Sequence, residues 1–374
     1  MTTPSRATGR QRVPFFRNSA TWQRVRDAVE ADIARSIDKG TAVDGILVRE
    51  TEEELTRRLG CAGVRMTASG SDALLVLLKQ QGIGPGDEVI VPAYTFFASV
   101  AAIAHVGARP VIVDILPDRY TVCPGAVRDA ITERTRAVLA VHLFTTMADM
   151  ERLAALCAEH DLLLVEDSAQ GIGMSRAGSI AGTAARGGVF SFFPAKTVGA
   201  LGDAGAVIAT DERQLAEFDA ILGRDGAGRD GEPTYGCDEI QAAVVRACLP
   251  LLDEFTARRR ELFAYYDARL RPVGGVRRLP VLAPGDVGYV YVAEFDRRDE
   301  LQAHLRAHGV TTEIFYPMPL SRQDCLADVA DCTRPVPVAE AASTRVLALP
   351  LYSDLLEEEA AHVCDIVHDF YRQA

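Results

Sequence analysis

Four apolar runs decide the fold: Glu88-Val89-Ile90-Val91-Pro92, Pro110–Asp114 (PVIVD), Ala137–Phe144 (AVLAVHLF) and Leu162–Glu166 (LLLVE). Each has strand length and an apolar, largely branched composition. Between them lie stretches of helical character, one beginning at Ala93–Ala98, one at Pro124–Ile131 and one at Met147–His160. Continuous apolar strands alternating with helices indicate an α/β domain, a mostly parallel sheet covered on both faces. In such sheets, ligands gather at the carboxyl ends of the strands.

That rule leads outward from Leu162–Glu166 to Asp167, the first residue past a strongly apolar strand. A carboxylate there is poorly solvated and needs a cationic or hydrogen-bonded partner. A protonated pyridine nitrogen would supply one, and helix capping is the plain alternative. Phe96, past the end of Glu88–Pro92, offers a flat ring for stacking or simply a core side chain. Upstream, Ser69-Gly70-Ser71-Asp72 precedes a helical stretch, Ala73–Gln80. These residues are ordinary caps, and equally an anion site, because a helix start offers free N–H groups and a favourable dipole.

Downstream, Val189–Phe193 reads as a further strand, ended by Pro194 and followed by the turn that carries Lys196. The chain has three lysines, and Lys39 and Lys79 sit in polar helical surroundings. Lys196 alone lies between an aromatic strand end and a Gly-rich loop. Partial desolvation disfavours the charged form of an amine and makes it nucleophilic, as Schiff-base chemistry requires, and an ordinary surface lysine on a loop is the plain alternative. Read together, these positions make most of a binding shell for pyridoxal 5'-phosphate (PLP): phosphate cup, ring stack, pyridinium partner and Schiff-base lysine.

The rest of the chain bounds the answer. At 374 residues it implies a large and a smaller domain. The expected division is an Arg-rich mobile arm over 1–20, a large domain over 21–250 and a small C-terminal α/β domain over 251–374. Helices are expected over Thr21–Asp38, Val48–Leu59, Glu212–Leu222, Arg298–His308 and Glu357–Tyr371, with one or two more between Ile240 and Leu270. Strands are expected over Tyr289–Phe295 and Thr312–Tyr316. A net charge of −12 argues against nucleic-acid binding, and no apolar run approaches a membrane span. The eight cysteines are scattered without CxxC or zinc-ligand spacing, so they read as reduced thiols of a cytoplasmic protein that holds no metal.

Beyond these readings the chain resembles the DegT/DnrJ/EryC1/StrS sugar aminotransferases, fold type I PLP enzymes. The resemblance is carried by Ser69–Ser99, VHLF (141–144), VEDSAQ (165–170), SFFPAKTVGALGDAGA (191–206), DEIQAA (238–243), FYPMPL (315–320) and ALPLYSDL (348–355). It implies Lys196 as the Schiff-base lysine and proton shuttle, Asp167 on the pyridine nitrogen and Phe96 on the ring. It also implies Gln170 on the phenolic oxygen, and Gly70, Ser71, Asp72 and Ser191 on the phosphate. It further implies a homodimer with shared sites, an amino-acid donor such as glutamate or glutamine, and a keto-sugar, keto-cyclitol or similar acceptor.

The chain departs from the family pattern at two places. The family's Gly-x-Asn-x-Arg run, which reaches the partner's cofactor phosphate, is represented by Thr234 and Gly236, with Arg224 or Arg229 as substitutes for the charge. The family's histidine after the Tyr-Pro-x-Pro-Leu run is Ser321. These changes leave two further readings: altered chemistry on the same cofactor (dehydration, deamination or cyclisation), or a non-catalytic PLP-binding regulator.

Overall fold

The computed structural model describes residues 12–224 and 235–372. Strands β1 (Gly63–Thr67), β2 (Glu88–Pro92), β3 (Arg109–Val113), β4 (Thr135–Val141), β5 (Leu163–Asp167), β8 (Gly188–Ser191) and β9 (Gly205–Ala209) form one sheet in the order β1-β9-β8-β5-β4-β2-β3. A two-stranded hairpin, β6 (Ser175–Arg176) with β7 (Ser179–Ile180), lies between β5 and β8 in the chain. Only β9 runs against the other strands, pairing antiparallel with β1 and β8. The side chains of β2 are buried throughout, as expected of a strand covered on both faces. The helices that cover the sheet are α1 (Ser19–Lys39), α2 (Ile46–Leu59), α3 (Gly70–Gln80), α4 (Phe97–His105), α5 (Pro124–Arg128), α6 (Met150–Glu159), α7 (Glu212–Leu222) and α8 (Glu239–Cys248).

A 3-10 turn, Leu249–Leu251, leads from α8 into α9 (Leu252–Leu270). Beyond it, β10 (Val276–Arg278), β11 (Tyr291–Phe295) and β12 (Val346–Leu349) form a small antiparallel sheet, flanked by α10 (Arg298–Ala307), α11 (Pro337–Arg345) and α12 (Glu357–Arg372). The period-2 alternation of β11 divides its faces. Tyr291, Ala293 and Phe295 pack with Phe263 and Tyr266 of α9 and Val363 and Val367 of α12. Val292 joins the core of the large sheet instead.

Three helices lack a side-chain cap of their own and receive a carboxylate from a distant segment. Asp354 accepts the backbone N–H groups of Ala20 and Thr21 at the start of α1. Glu239 accepts those of Leu47 and Val48 in α2, and Asp114 those of Val338 and Ala339 in α11. Each tie satisfies orphan donors of a helix start and joins parts of the chain remote in sequence. Asp354 and Glu239 lie within the ALPLYSDL and DEIQAA stretches singled out above.

Several expectations are corrected. Thr312–Tyr316 is not a strand; Glu313 makes an isolated bridge to Ala348. The ladder groups that follow are taken by a side chain: the Tyr94 hydroxyl donates to the Phe315 carbonyl and accepts from the Tyr316 N–H. The helix from Pro124 ends at Arg128, because Ala130 and Ile131 turn back on carbonyls three residues earlier. The strand before Lys196 stops at Ser191, ahead of Pro194. Of the arm expected over 1–20, residues 12–18 pack on the rest of the chain: Val13 is buried and bridges Val310, and Arg17 pairs with Glu359; residues 1–11 lie outside the described residues. Gly205–Ala209, a stretch for which no element was expected, is a strand.

Candidate functional site

Asp167 closes β5 and is only 5% exposed. Its Oδ2 accepts from the Ser99 hydroxyl at 2.7 Å and its Oδ1 from the Ala169 N–H at 3.1 Å. Ser99 lies in the first turn of α4, and its own N–H donates to the Phe96 carbonyl at 3.2 Å. One serine thus ties the end of β5 to the Phe96 turn beyond β2. Phe96 is extended just ahead of the helix, and its ring is 61% exposed, a conspicuous position for an apolar side chain. Asp167 also pairs in register with Val189 of β8, two residues from Ser191.

Behind Asp167 lies a buried pair. His142 Nδ1 accepts the Ala148 N–H, so Nε2 donates to Glu166 Oε2 at 2.8 Å. Glu166 further accepts the Gly182 and Ala184 N–H groups. The His142 N–H in turn donates to the Asp167 carbonyl. The pair holds the strand ends from the side opposite the Asp167 carboxylate.

Lys196 follows a tight turn, its N–H donating to the Phe193 carbonyl at 2.8 Å. The loop is pinned at several points. The Asn18 side chain donates to the Pro194 carbonyl, Ala200 N–H to the Phe192 carbonyl, and Gly202 N–H to Gln241 Oε1. At Gly199 a Cβ would lie 2.4 Å from the Pro194 carbonyl oxygen, which explains the glycine. The Lys196 amine lies over the Tyr289 ring, 4.9 Å from its centroid.

Ser69 caps α3. Its hydroxyl accepts the Asp72 N–H and donates to the Asp72 carboxylate, a reciprocal cap that leaves the first-turn N–H groups of Gly70 and Ser71 without helical acceptors. Asp72 therefore serves as a structural cap here. Burial, with Asp203 nearby, raises its carboxyl pKa. Glycine lets the elements close up: a Cβ at Gly70 would lie 2.8 Å from the Ser191 Cβ, and one at Gly205 2.4 Å from the Ser69 carbonyl. Gln170 accepts the Phe144 N–H at 2.7 Å and meets the Tyr316 hydroxyl, whose pKa burial drives well up.

The structure thus brings together Phe96, Asp167 and Gln170, and separately Gly70, Ser71 and Ser191. Lys196 stands on the loop leaving Ser191. Sequence reasoning gave no role to Ser99, Tyr289, His142 or Gln241, although Ser99, His142 and Gln241 fall within the Ser69–Ser99, VHLF and DEIQAA stretches quoted above. Thr234 and Arg229 lie outside the described residues. Arg224 is engaged with Glu52 and Asp44, and Asp44 fills the space beside Gly236. Ser321 lies in a 3-10 turn with a hydroxyl that has no hydrogen-bond partner among the described residues. A cavity of about 790 Å³ lies by Glu52, Arg65 and Arg224, and of the candidate residues only Arg224 lines it. Among the described residues no cluster of His, Cys, Asp or Glu suits a metal, and no helix is long and apolar enough to cross a membrane.

PLP fits this edge. The nearly buried Asp167 carboxylate has two neutral donors and, among the described residues, no ion-pair partner, so a protonated ring nitrogen would complete it. The free N–H groups of Gly70 and Ser71, beside Ser191, suit a phosphate.

A model of the DegT/DnrJ/EryC1/StrS aminotransferase family matches residues 24–368. The chain is 38% identical to dTDP-3-amino-3,4,6-trideoxy-alpha-D-glucose transaminase of Streptomyces venezuelae, over 96% of each chain. It is 34% identical to a "pleiotropic regulatory protein" of Geobacillus stearothermophilus, over 96% of this chain and 99% of the other. Among solved structures, S. venezuelae DesV in complex with a ketimine intermediate superimposes with a TM-score of 0.90 at 37% identity, covering 97% of this chain and 99% of the other. NtdA from Bacillus subtilis, with the bound cofactor PMP, gives 0.88 at 25% identity, covering 97% and 86%.

Proposed function

Because this chain belongs to the DegT/DnrJ/EryC1/StrS aminotransferase family and is a PLP-dependent aminotransferase, we propose a specific division of labour at its strand edge. Lys196 is the amine that holds the cofactor and later carries the proton between the two reacting carbons. Asp167 holds the ring nitrogen protonated. When bound, PLP supplies the electron sink for the transfer. Phe96 stacks on its ring, Gln170 meets its phenolic oxygen, and the α3 start with Ser191 takes its phosphate; Asp72 contributes there through the cap.

The observation that carries this reading is the buried Asp167 carboxylate, supplied with two neutral donors and open to a cationic third partner. The donor in this reading is glutamate or glutamine. The acceptor is a ketone on a sugar, cyclitol or similar polyol, in keeping with the nucleotide-sugar transaminases the chain resembles. The reading also divides the chain near residue 250, where a separate apolar core begins around α9 and α12. It further places the protein in the cytoplasm.

It includes a homodimer with shared sites. Phe96 and Phe97 at the α4 start, Phe193 and Leu201 on the lysine loop, and the neighbouring Ile240 are all exposed apolar side chains. Large apolar side chains exposed in this number around a site are what a covering second chain would bury.

The test is the absorption spectrum of the purified protein before and after glutamate or glutamine. The yellow band of the loaded enzyme should shift to the amine form, and Lys196→Ala should abolish turnover while the protein stays folded. A fully active Lys196→Ala variant would sink the mechanism. A yellow band that no donor bleaches would favour altered chemistry on the same cofactor, the reading kept open by Gly236.

A further inference from the structure

Lys196 is aimed at a specific ring, and that ring is held by an unusual cation. Tyr289 is nearly buried, and its face lies 4.9 Å from the Lys196 amine. Its backbone N–H donates to the Val287 carbonyl at 2.9 Å and to the Phe144 carbonyl at 3.2 Å, the second tying this segment to the Gln170 side of the site. Beneath it, the buried Arg259 of α9 has no carboxylate partner among the described residues. Its Nη1 donates instead to the carbonyls of Tyr289 and Leu351, each at 2.8 Å, and of Gly288 at 3.5 Å. Burial pulls the guanidinium pKa down to about 10, so it remains charged at neutral pH. A buried cation on neutral carbonyls is costly to keep. What it achieves is a tie between α9, the Gly288-Tyr289 segment and Leu351 just past β12.

We propose that the Tyr289 ring is the seat of the protonated Lys196 amine, and that Arg259 is the positioning residue that holds the ring in place. This rests on Lys196 being the reacting amine. When Lys196 removes a proton from the donor carbon, the C–H electron pair stays with the substrate and Nζ gains the proton and a full positive charge. The ring face attracts that charge without offering a hydrogen-bond acceptor, so it can stabilise the ammonium without taking the proton from it. Bare desolvation at the same place would oppose the charge. The ring therefore stabilises the state in which the proton is in transit. Among the described residues the Tyr316 phenol and Arg259 are the titratable neighbours of Tyr289, with Asp167 next to Tyr316, and none of the three is altered in the Tyr289 variants.

The experiment reads the amine directly. The full-length protein is washed free of cofactor and treated with a small amine-selective acylating reagent near about pH 7 and about pH 10, and labelling is counted per lysine by peptide mass spectrometry. Exposed Lys39 serves as the internal reference. The high-pH rate reports access, so the ratio of the two rates isolates the charge state. In Tyr289→Leu the low-to-high ratio at Lys196 should rise roughly 2- to 30-fold. Tyr289→Phe, which keeps a ring, should stay within about twofold of the parent. Arg259→Met should move the ratio in the same direction as Tyr289→Leu, and Arg259→Lys should largely restore it. An unchanged ratio in Tyr289→Leu, or equal changes in the Phe and Leu variants, would overturn the proposal. If Arg259→Met lowers only thermal stability and leaves the ratio unmoved, the positioning role is overturned. None of these readouts requires transamination, so failure of the spectral test at Lys196 would be told apart from failure here.

Discussion

The Ser99 hydroxyl donates to Asp167 Oδ2 at 2.7 Å, in a place where the carboxylate is almost wholly buried. A hydrogen bond to a charged group contributes about 1.5–3 kcal/mol. Ser99→Ala should therefore lower the unfolding free energy of the cofactor-free protein by about that amount. Cofactor should then recover more of the loss than it adds to the parent, because a ring N–H supplies a donor that the carboxylate has lost. Thermal or denaturant unfolding with and without PLP checks this. Equal stabilisation of parent and variant by PLP would mean that the ring nitrogen does not reach Asp167. The matching chemical test is Asp167→Asn: it should retain a yellow protein but slow the half-reaction by roughly 100-fold or more, in line with the 3–5 kcal/mol cost of breaking a buried charge pair.

Gly205 approaches the cap of α3 so closely that any side chain would meet backbone, 2.4 Å from the Ser69 carbonyl and 2.5 Å from the Gly70 nitrogen. Backbone cannot give way as a side-chain tip does. Gly205→Ala should destabilise by about 1–3 kcal/mol, the usual cost of overpacking, and should loosen cofactor retention as the α3 start moves off Ser191. Gly84→Ala, where a Cβ meets only a carbonyl at 3.7 Å, is the control and should change neither. Equilibrium dialysis of the cofactor together with denaturant unfolding separates the two effects.

Asp72 carries a carboxyl whose pKa is raised, first by burial and then by Asp203, against the Ser69 hydrogen bond that lowers it. The sign follows from linkage. A carboxyl with a folded pKa above its unfolded value binds the proton more readily when folded. The parent should therefore gain stability as pH falls through that window, just above the ordinary aspartate range, and lose it as pH rises. Asp72→Asn keeps an acceptor and removes the titration. The difference in unfolding free energy between parent and Asp72→Asn should grow in the parent's favour on acidification. A pH-independent difference would show that the cap does not titrate there.

The limits of what the sequence alone revealed are themselves physical. β2 and α7 were legible to the residue, β2 because a fully buried parallel strand is an unbroken apolar run, and α7 because Asp211 caps it and Gly223 closes it in the left-handed region. That Asp167 closes a strand, and that Phe96 and Lys196 follow strand ends, was legible because each follows an apolar run of strand length. β9 was not, since Gly205-Ala206-Val207-Ile208-Ala209 becomes a strand only through β1 and β8, which lie far away in the chain or across a loop. Thr312–Tyr316 misled for the converse reason: a strand-like composition whose ladder groups are claimed by Tyr94, more than two hundred residues earlier. Ser99, Tyr289 and Arg259 act through contacts that no local pattern encodes.

The Glu239 carboxylate tests how far the distant caps matter. It accepts from Leu47 and Val48 at the α2 start and also from the Ser36 and Thr41 hydroxyls. Glu239→Ala should cost at least the roughly 0.5–2 kcal/mol of a lost helix cap, and more if the buried donors find no water. Hydrogen exchange should localise the added opening to α2 and the end of α1. Loss of protection spread evenly over the whole chain would instead point to a global packing defect.

Gly236 stands where the resemblance leads one to expect an arginine, and the structure supplies a reason why an arginine would be poorly received. A Cβ there would lie 2.5 Å from Asp44 Oδ2, and Asp44 is not free to swing away because Arg224 pairs with it and with Glu52. Gly236→Arg should therefore destabilise by about 1–3 kcal/mol and should not tighten cofactor binding. Removing the obstruction should change the outcome. In the double variant Asp44→Ala with Gly236→Arg, the arginine gains room while Arg224 keeps Glu52 at 2.7 Å. The two substitutions should be strongly non-additive, with the double variant more stable than the sum of the single losses predicts. Denaturant midpoints of the four proteins close the cycle. Strict additivity would show that Asp44 does not exclude the arginine, and the choice of glycine would then need a cause outside this contact.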